Sequence, residues 1–103
     1  MSRIEQIKTL IRDDPGDAML RFALGNEYFQ AGQYAEAIEA LKAALAIDPE
    51  YAFVYIQLAD AYEQSGQIEL ARQTVEAGRG PAVRNGDANL LHQLDDIAAR
   101  LPT

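Results

Sequence analysis

The sequence predicts an all-α fold in which antiparallel helix pairs stack into a short solenoid. Three observations predict it: the chain repeats itself at an offset of thirty-four residues, its apolar residues recur at helical spacing, and glycine and proline fall where such helices must stop. At that offset Ala18/Ala52, Leu24/Leu58, Tyr28/Tyr62, Gln30/Gln64, Gly32/Gly66, Gln33/Gln67, Ala37/Ala71 and Ala43/Ala77 coincide, and Pro15 and Pro49 keep the same spacing. The identities fall on the residue types that set packing. A helix–turn–helix unit of this length cannot bury its apolar face alone, whereas stacked copies can.

The elements follow in order. Ile4, Ile7, Leu10 and Ile11 share one face of an opening helix within residues 1–14. Asp17 is placed to cap a helix over 18–31, with Gly32 as its left-handed stop, and a second helix over 34–47 ends at Asp48-Pro49. The pattern then repeats: Gly66 separates a helix over 52–65 from one beginning near Ile68. Leu20, Leu24 and Tyr28 form a core stripe copied by Val54, Leu58 and Tyr62, and the small residues Gly25, Ala37, Ala59 and Ala71 let paired helices approach closely. Pro81 conflicts with the carbonyl of Ala77 in a continuous helix, so a kink is expected near Gly80, with helix resuming to Arg84. Asn85-Gly86 reads as a helix end and Asp87 as the next cap. Leu90, Leu94, Ile97 and Leu101, with Leu91 and Ala98, line a closing helix over 87–101.

The repeated segment resembles the tetratricopeptide repeat family. The family's Leu-Gly, Tyr, Ala, large apolar, small and Pro positions are filled by Leu24-Gly25, Tyr28, Ala37, Leu41, Ala44 and Pro49, with Arg21 in place of the opening aromatic. The second copy reads Tyr55, Leu58-Ala59, Tyr62, Ala71 and Val75, then departs with Gly78 for the small alanine and Val83 for the proline. The resemblance implies one domain over 1–103: a short right-handed α-solenoid of two repeats, 17–50 and 51–84, flanked by the N-terminal half-repeat helix and the C-terminal capping helix. Asp13-Asp14-Pro15 resembles the end of the preceding half repeat.

Composition bounds the function. The chain has 103 residues, no Cys, sixteen acidic and nine basic residues, and a net charge of −7. Residues 1–16 and 79–103 each hold three of either sign, so the whole excess lies between 17 and 78. An acidic chain is a poor partner for nucleic acid or an anionic membrane. No run is long and apolar enough to span a bilayer, and the first fifteen residues mix charges with isoleucines instead of forming a signal peptide's apolar block, which makes a cytoplasmic location the expectation. Absent cysteine excludes thiolate metal sites and cysteine nucleophiles. His92 is the only histidine and reads as a surface residue of the closing helix. The glycines between 78 and 86 lack the Lys-Ser/Thr ending of a phosphate loop. No catalytic constellation, metal site or cofactor is expected.

A second apolar face points to binding. On a wheel of about 100° per residue, Phe29, Phe22, Asn26 and Met19 fall roughly 180–260° from Leu20, and the second repeat places Glu63, Ile56, Asp60 and Phe53 in the same slots. In tetratricopeptide repeat proteins this side of the first helices lines a concave groove for partner peptides or helices. The resemblance therefore implies a non-catalytic interaction module with Met19, Phe22, Asn26, Phe29, Phe53, Ile56, Asp60 and Glu63 as its surface. Apolar anchors beside carboxylates suit a protein or peptide with apolar residues near a basic one. Packing of this face under the closing helix and a homodimer interface stand as alternatives, so a self-associating scaffold is the runner-up function, ahead of a small regulatory subunit or enzyme. Some family members hold a C-terminal carboxylate with Lys and Asn. Here Asn26 matches, but Phe22 fills the lysine slot, the next repeat offers Gln57 and Asp60, and Asp87 and Leu91 occupy the slots beyond, so that clamp is not expected.

Overall fold

The computed structural model of the chain describes residues 2–102, so Met1 and Thr103, the ends of the expected domain, lie outside the described residues. Among the described residues there are six helices and no strand: α1 (Arg3–Asp13), α2 (Ala18–Gln30), α3 (Tyr34–Ile47), α4 (Ala52–Gln64), α5 (Ile68–Arg84) and α6 (Ala88–Arg100).

Local chemistry sets the boundaries. Ser2 accepts a hydrogen bond from the Glu5 amide at the start of α1, Asp17 accepts from the amides of Met19 and Leu20, and Asp87 accepts from that of Leu90. Gly32, Gly66 and Gly86 have φ of 75°, 81° and 67°, a region closed to most side chains. At each, two backbone bonds seal the preceding helix: Gln33 N to Tyr28 O and Gly32 N to Phe29 O at the first, with matching pairs at Gly66 and Gly86. The expected helices over 18–31 and 52–65 end one residue early, because Ala31 and Ser65 are the capping residues of these turns. α5 runs as helix to Arg84, as expected, and the segment in which a kink was anticipated near Gly80 holds no non-helical residue, only the N–H that Pro81 lacks. Its i−4 residue, Ala77, is exposed.

Each helix packs on the next in sequence, giving a helical-repeat solenoid. α2 also touches α4 and α4 touches α6, whereas α3 and α5 do not meet, so the stack curves with α2, α4 and α6 on its inner side. The main core runs from α3 to α6, with Leu41, Val54, Val75 and Leu94 wholly buried. Leu90, Ile97 and Leu101 join it, as the closing helix's stripe requires. A smaller cluster of Ile7, Ile11, Leu24 and Ala40 holds α1, with Ile4, Leu20 and Tyr28 half-buried around it. Leu10 is the exception to the opening stripe. It is 51% exposed, because among the described residues α1 packs chiefly on α2 and no further helix covers its other side.

The two irregular positions of the repeat have structural causes. A Cβ built on Gly78 stands 2.7 Å from Tyr55 Cβ, so the slot filled by Ala44 in the first repeat admits only glycine in the second. Arg21, where an aromatic was expected, donates from Nη2 to Pro15 O, while Tyr55 thirty-four residues later donates from its hydroxyl to Pro49 O at 2.8 Å. Different side chains thus make the same tie at the same repeat position.

Candidate functional site

Of the eight residues expected to form the recognition surface, Met19, Phe22, Asn26 and Phe29 lie on α2 and Phe53, Ile56, Asp60 and Glu63 on α4. The structure separates these eight residues into two groups. Met19 is 67% exposed and Phe53 44%, and between them the half-buried Phe22 ring meets Tyr51 at 5.5 Å and Phe53 at 5.8 Å between centroids. An aromatic cluster therefore bridges α2 and α4, with its edges open to solvent. Phe29 is half-buried and turns toward Tyr34 across the α2–α3 turn, at 5.4 Å, and Asn26 is half-buried between the two ends.

The second group is covered by α6. Ile56 is only 7% exposed and belongs to the main core, which fits the alternative of packing under the closing helix at this position. Asp60 and Glu63 are both engaged by Arg100 in the last turn of α6. Its Nη2 donates to Asp60 Oδ1 at 2.7 Å and to Glu63 Oε1 at 2.8 Å, and its Nε donates to Glu63 Oε1 at 3.0 Å. Burial pushes the Asp60 carboxyl above its ordinary range, more strongly than the attraction of Arg100 pulls it down. A cleft of about 150 Å³ remains between α4 and α6, walled by Ile56, Asp60, Gln93, Asp96, Ile97 and Arg100. Sequence reading placed Asp60 and Glu63 in the groove without seeing that a cation forty residues away already sits on Asp60.

Two residues outside that reading complete the apolar surface. Ile47, the last residue of α3, is 39% exposed, and Tyr51 lies against Phe22. With Met19 they wall an open cleft of about 530 Å³ that also includes Asp17 and Asp48. The signal for them was the junction itself, where the chain passes from one repeat to the next beside the start of α2. On the opposite face of α2, Leu24 and Tyr28 line a separate cleft with Ala40 and Ala43. His92 is exposed on α6. Among the described residues no group of three or more His, Asp or Glu is placed to hold a metal ion, and no helix is long and apolar enough to cross a membrane.

Two family models described as tetratricopeptide repeat match the chain, one over residues 28–94 and the other over 1–53. No curated protein matches it in sequence. Solved structures do. The TPR2B domain of yeast Sti1 in complex with an Hsp70 peptide superposes with a TM-score of 0.89 at 20% identity, covering 93% of this chain and 77% of that one. A Bordetella parapertussis protein solved in solution gives 0.85 at 29% identity, over 98% and 88%. The second TPR domain of human RPAP3, in complex with the HSP70 peptide SGPTIEEVD, gives 0.78 at 22% identity, over 92% and 78%.

Proposed function

Because the chain belongs to the tetratricopeptide repeat family, we propose that it is a non-catalytic protein-interaction module that holds a partner segment against the inner face of α2 and α4. The observation that carries this reading is the aromatic cluster of Phe22, Tyr51 and Phe53, flanked by the exposed Met19. Large apolar side chains left open beside one another form the centre of a recognition patch. Asn26 and Phe29 extend it along α2. Ile56 supports it from below, and Asp60 and Glu63, with Arg100 seated on them, form its far wall.

The chemistry favours a partner with apolar anchors near a basic residue. The peptide held by the similar human domain ends in EEVD and is acidic. Here the inner face offers Phe22 where a lysine would meet such a tail, and Arg100 beside that face is spent on Asp60 and Glu63. The exposed Met19 and Phe53 also suit a second copy of the chain, which is the competing reading.

The test is affinity capture from a lysate of the source, comparing the wild type with a Met19→Asp/Phe53→Asp variant. Both positions lie in first turns, where an aspartate is tolerated by the helix dipole, so the variant is expected to keep its melting temperature and lose its captured protein. Capture that survives the double substitution refutes the groove. Sedimentation of the wild type at micromolar concentration decides the alternative, since a dimer abolished by the same substitutions makes the face a self-association surface.

A further inference from the structure

The geometry points to a second recognition element, at the edge of the solenoid where the repeats join: two open clefts flanking Tyr51 that take the basic side chains of the partner segment. It rests on the interaction reading above and adds to it a place and a chemistry. The first cleft lies among Asp17, Met19, Ile47, Asp48 and Tyr51. The second, of about 400 Å³, lies among Asp48, Glu50, Tyr51, Phe53, Asp87 and Leu90. Asp48 and Tyr51 form the shared wall. Met19 and Phe53 are repeat equivalents, thirty-four residues apart, so the clefts follow one another as the repeats do.

Each cleft combines an apolar wall with carboxylates that have no cation. Asp17, Asp48 and Asp87 each commit Oδ1 to nearby backbone amides, those of Met19 and Leu20, of Glu50, and of Leu90 respectively. Among the described residues none of the three forms an ion pair, and Glu50 alone is held, by Arg84. α3 ends and α2 begins at the first cleft, so the helix ends contribute partial charge of both signs and the carboxylates supply its net negative charge. The Tyr51 hydroxyl is held above its ordinary range, first by burial and then by Asp17 and Asp48. A lysine or arginine fits this combination: its methylenes lie along Met19, Ile47 or Phe53, its head reaches a free carboxylate oxygen, and the Tyr51 ring offers a face to the cation.

Charge also selects the occupant. Six of the nine basic side chains, Arg3, Lys42, Arg72, Arg79, Arg84 and Arg100, already hold carboxylates of their own chain. Of the other three, Lys8 stands over the Tyr28 ring, Arg21 is tied to Pro15 O, and Arg12 at the end of α1 forms no ion pair among the described residues. A second copy therefore brings few free cations to this edge, whereas a basic, apolar-anchored segment of another protein brings what it lacks.

The probe is an N-acetylated, C-amidated peptide RLRWRLG, with the charge-inverted ELEWELG beside it, titrated into the full chain and followed by amide chemical shifts. The expected result is a saturable response to the basic peptide alone, centred on the amides of residues 16–19 and 47–53 and weakened between about 20 mM and roughly 300 mM salt. A doubly substituted Asp17→Asn/Asp48→Asn chain keeps its caps, since asparagine caps as well as aspartate, and should bind at least about threefold more weakly. Shifts confined to α4 and α6 around Asp60 and Gln93, with affinity unchanged in the double variant, overturn the edge site and leave the interaction reading standing. An equal response to ELEWELG, or no saturable response to RLRWRLG, also overturns it. The interaction reading itself fails only in the capture experiment.

Discussion

Gly78 and Gly80 sit two residues apart in α5, and replacing each with alanine should move stability by very different amounts. Alanine is about 1 kcal/mol better than glycine in a helix interior, and that gain is common to both sites. At Gly80 the new methyl meets only the end of the Arg84 side chain, at 3.2 Å from Nη1 and Nη2, and an exposed guanidinium can move aside. At Gly78 it meets Tyr55 Cβ at 2.7 Å and Cγ at 3.1 Å, with Leu94 Cδ2 at 3.4 Å behind. Tyr55 Cβ is fixed to the α4 backbone, so relief requires α4 and α5 to separate, and overpacking of this kind costs about 1–3 kcal/mol. Gly80→Ala should therefore be more stable than wild type by up to about 1 kcal/mol, with Gly78→Ala about 1–3 kcal/mol below it. Urea unfolding followed by helical circular dichroism measures the difference, and the melting temperatures should separate by at least about 4 °C in a domain of this size. Two variants agreeing within about 0.5 kcal/mol would mean that α4 and α5 do not meet as described, and the account of why glycine replaces alanine in the second repeat would fall.

Leu58→Ala removes a side chain that is 5% exposed in the main core and should cost about 2–5 kcal/mol; an unchanged urea midpoint would break the repeat register. Arg21→Tyr should raise stability by about 1 kcal/mol, because it keeps the tie to Pro15 O that Tyr55 makes to Pro49 O and removes an Nε now buried without a partner; a loss of stability refutes that equivalence. Asp60 has a raised folded pKa, so the folded chain holds its proton more tightly than the unfolded one and stability falls as pH rises from the ordinary aspartate range through the raised value. Asp60→Asn should gain on wild type across that window. Arg100→Gln should push Asp60 higher still in a carboxyl carbon titration, and an unmoved midpoint would show that Arg100 does not reach it.

The helices were legible because they rest on local chemistry: a stripe at helical spacing, a side-chain cap on α1, α2 and α6, and a glycine that alone accepts positive φ after α2, α4 and α5. What eluded sequence reading depends on what lies across the gap. Leu10 belongs to a sound stripe, yet it is exposed because, among the described residues, no second helix packs over α1. Pro81 was read as a kink, and the helix that continues through it is packed on both α4 and α6, contacts that no local signal shows. The site divides the same way. On α2 the wheel identifies the face but not its cover: Met19 is exposed, whereas Phe22 packs on Tyr51 and Phe53 and Phe29 on Tyr34. Ile56, Asp60 and Glu63 hold the equivalent slots on α4, but α6 packs there, and only a tertiary contact shows that Arg100 is the cation they hold. Ile47 and Tyr51 fell outside the wheel because they sit at the junction between helices.

The net charge of −7 gains a location from these contacts. Among the described residues eight of the sixteen acidic side chains hold a cation, and Asp17, Asp48 and Asp87 are among those that do not. All three cap a helix or turn, but capping needs only an acceptor, which serine or asparagine supplies equally well. The charge at these positions is therefore surplus to the fold, and two readings of it differ in kinetics. Surplus charge that serves solubility alone leaves association indifferent to which carboxylates are present. Charge that draws a basic segment to the edge acts on encounter, so replacing all three with asparagine should slow association of RLRWRLG severalfold at low salt and flatten its salt dependence, with dissociation less affected. The two readings part most clearly at high ionic strength, where the wild type and the triple variant should converge if steering is the cause. An on-rate equal in the two chains at low salt assigns these carboxylates to solubility.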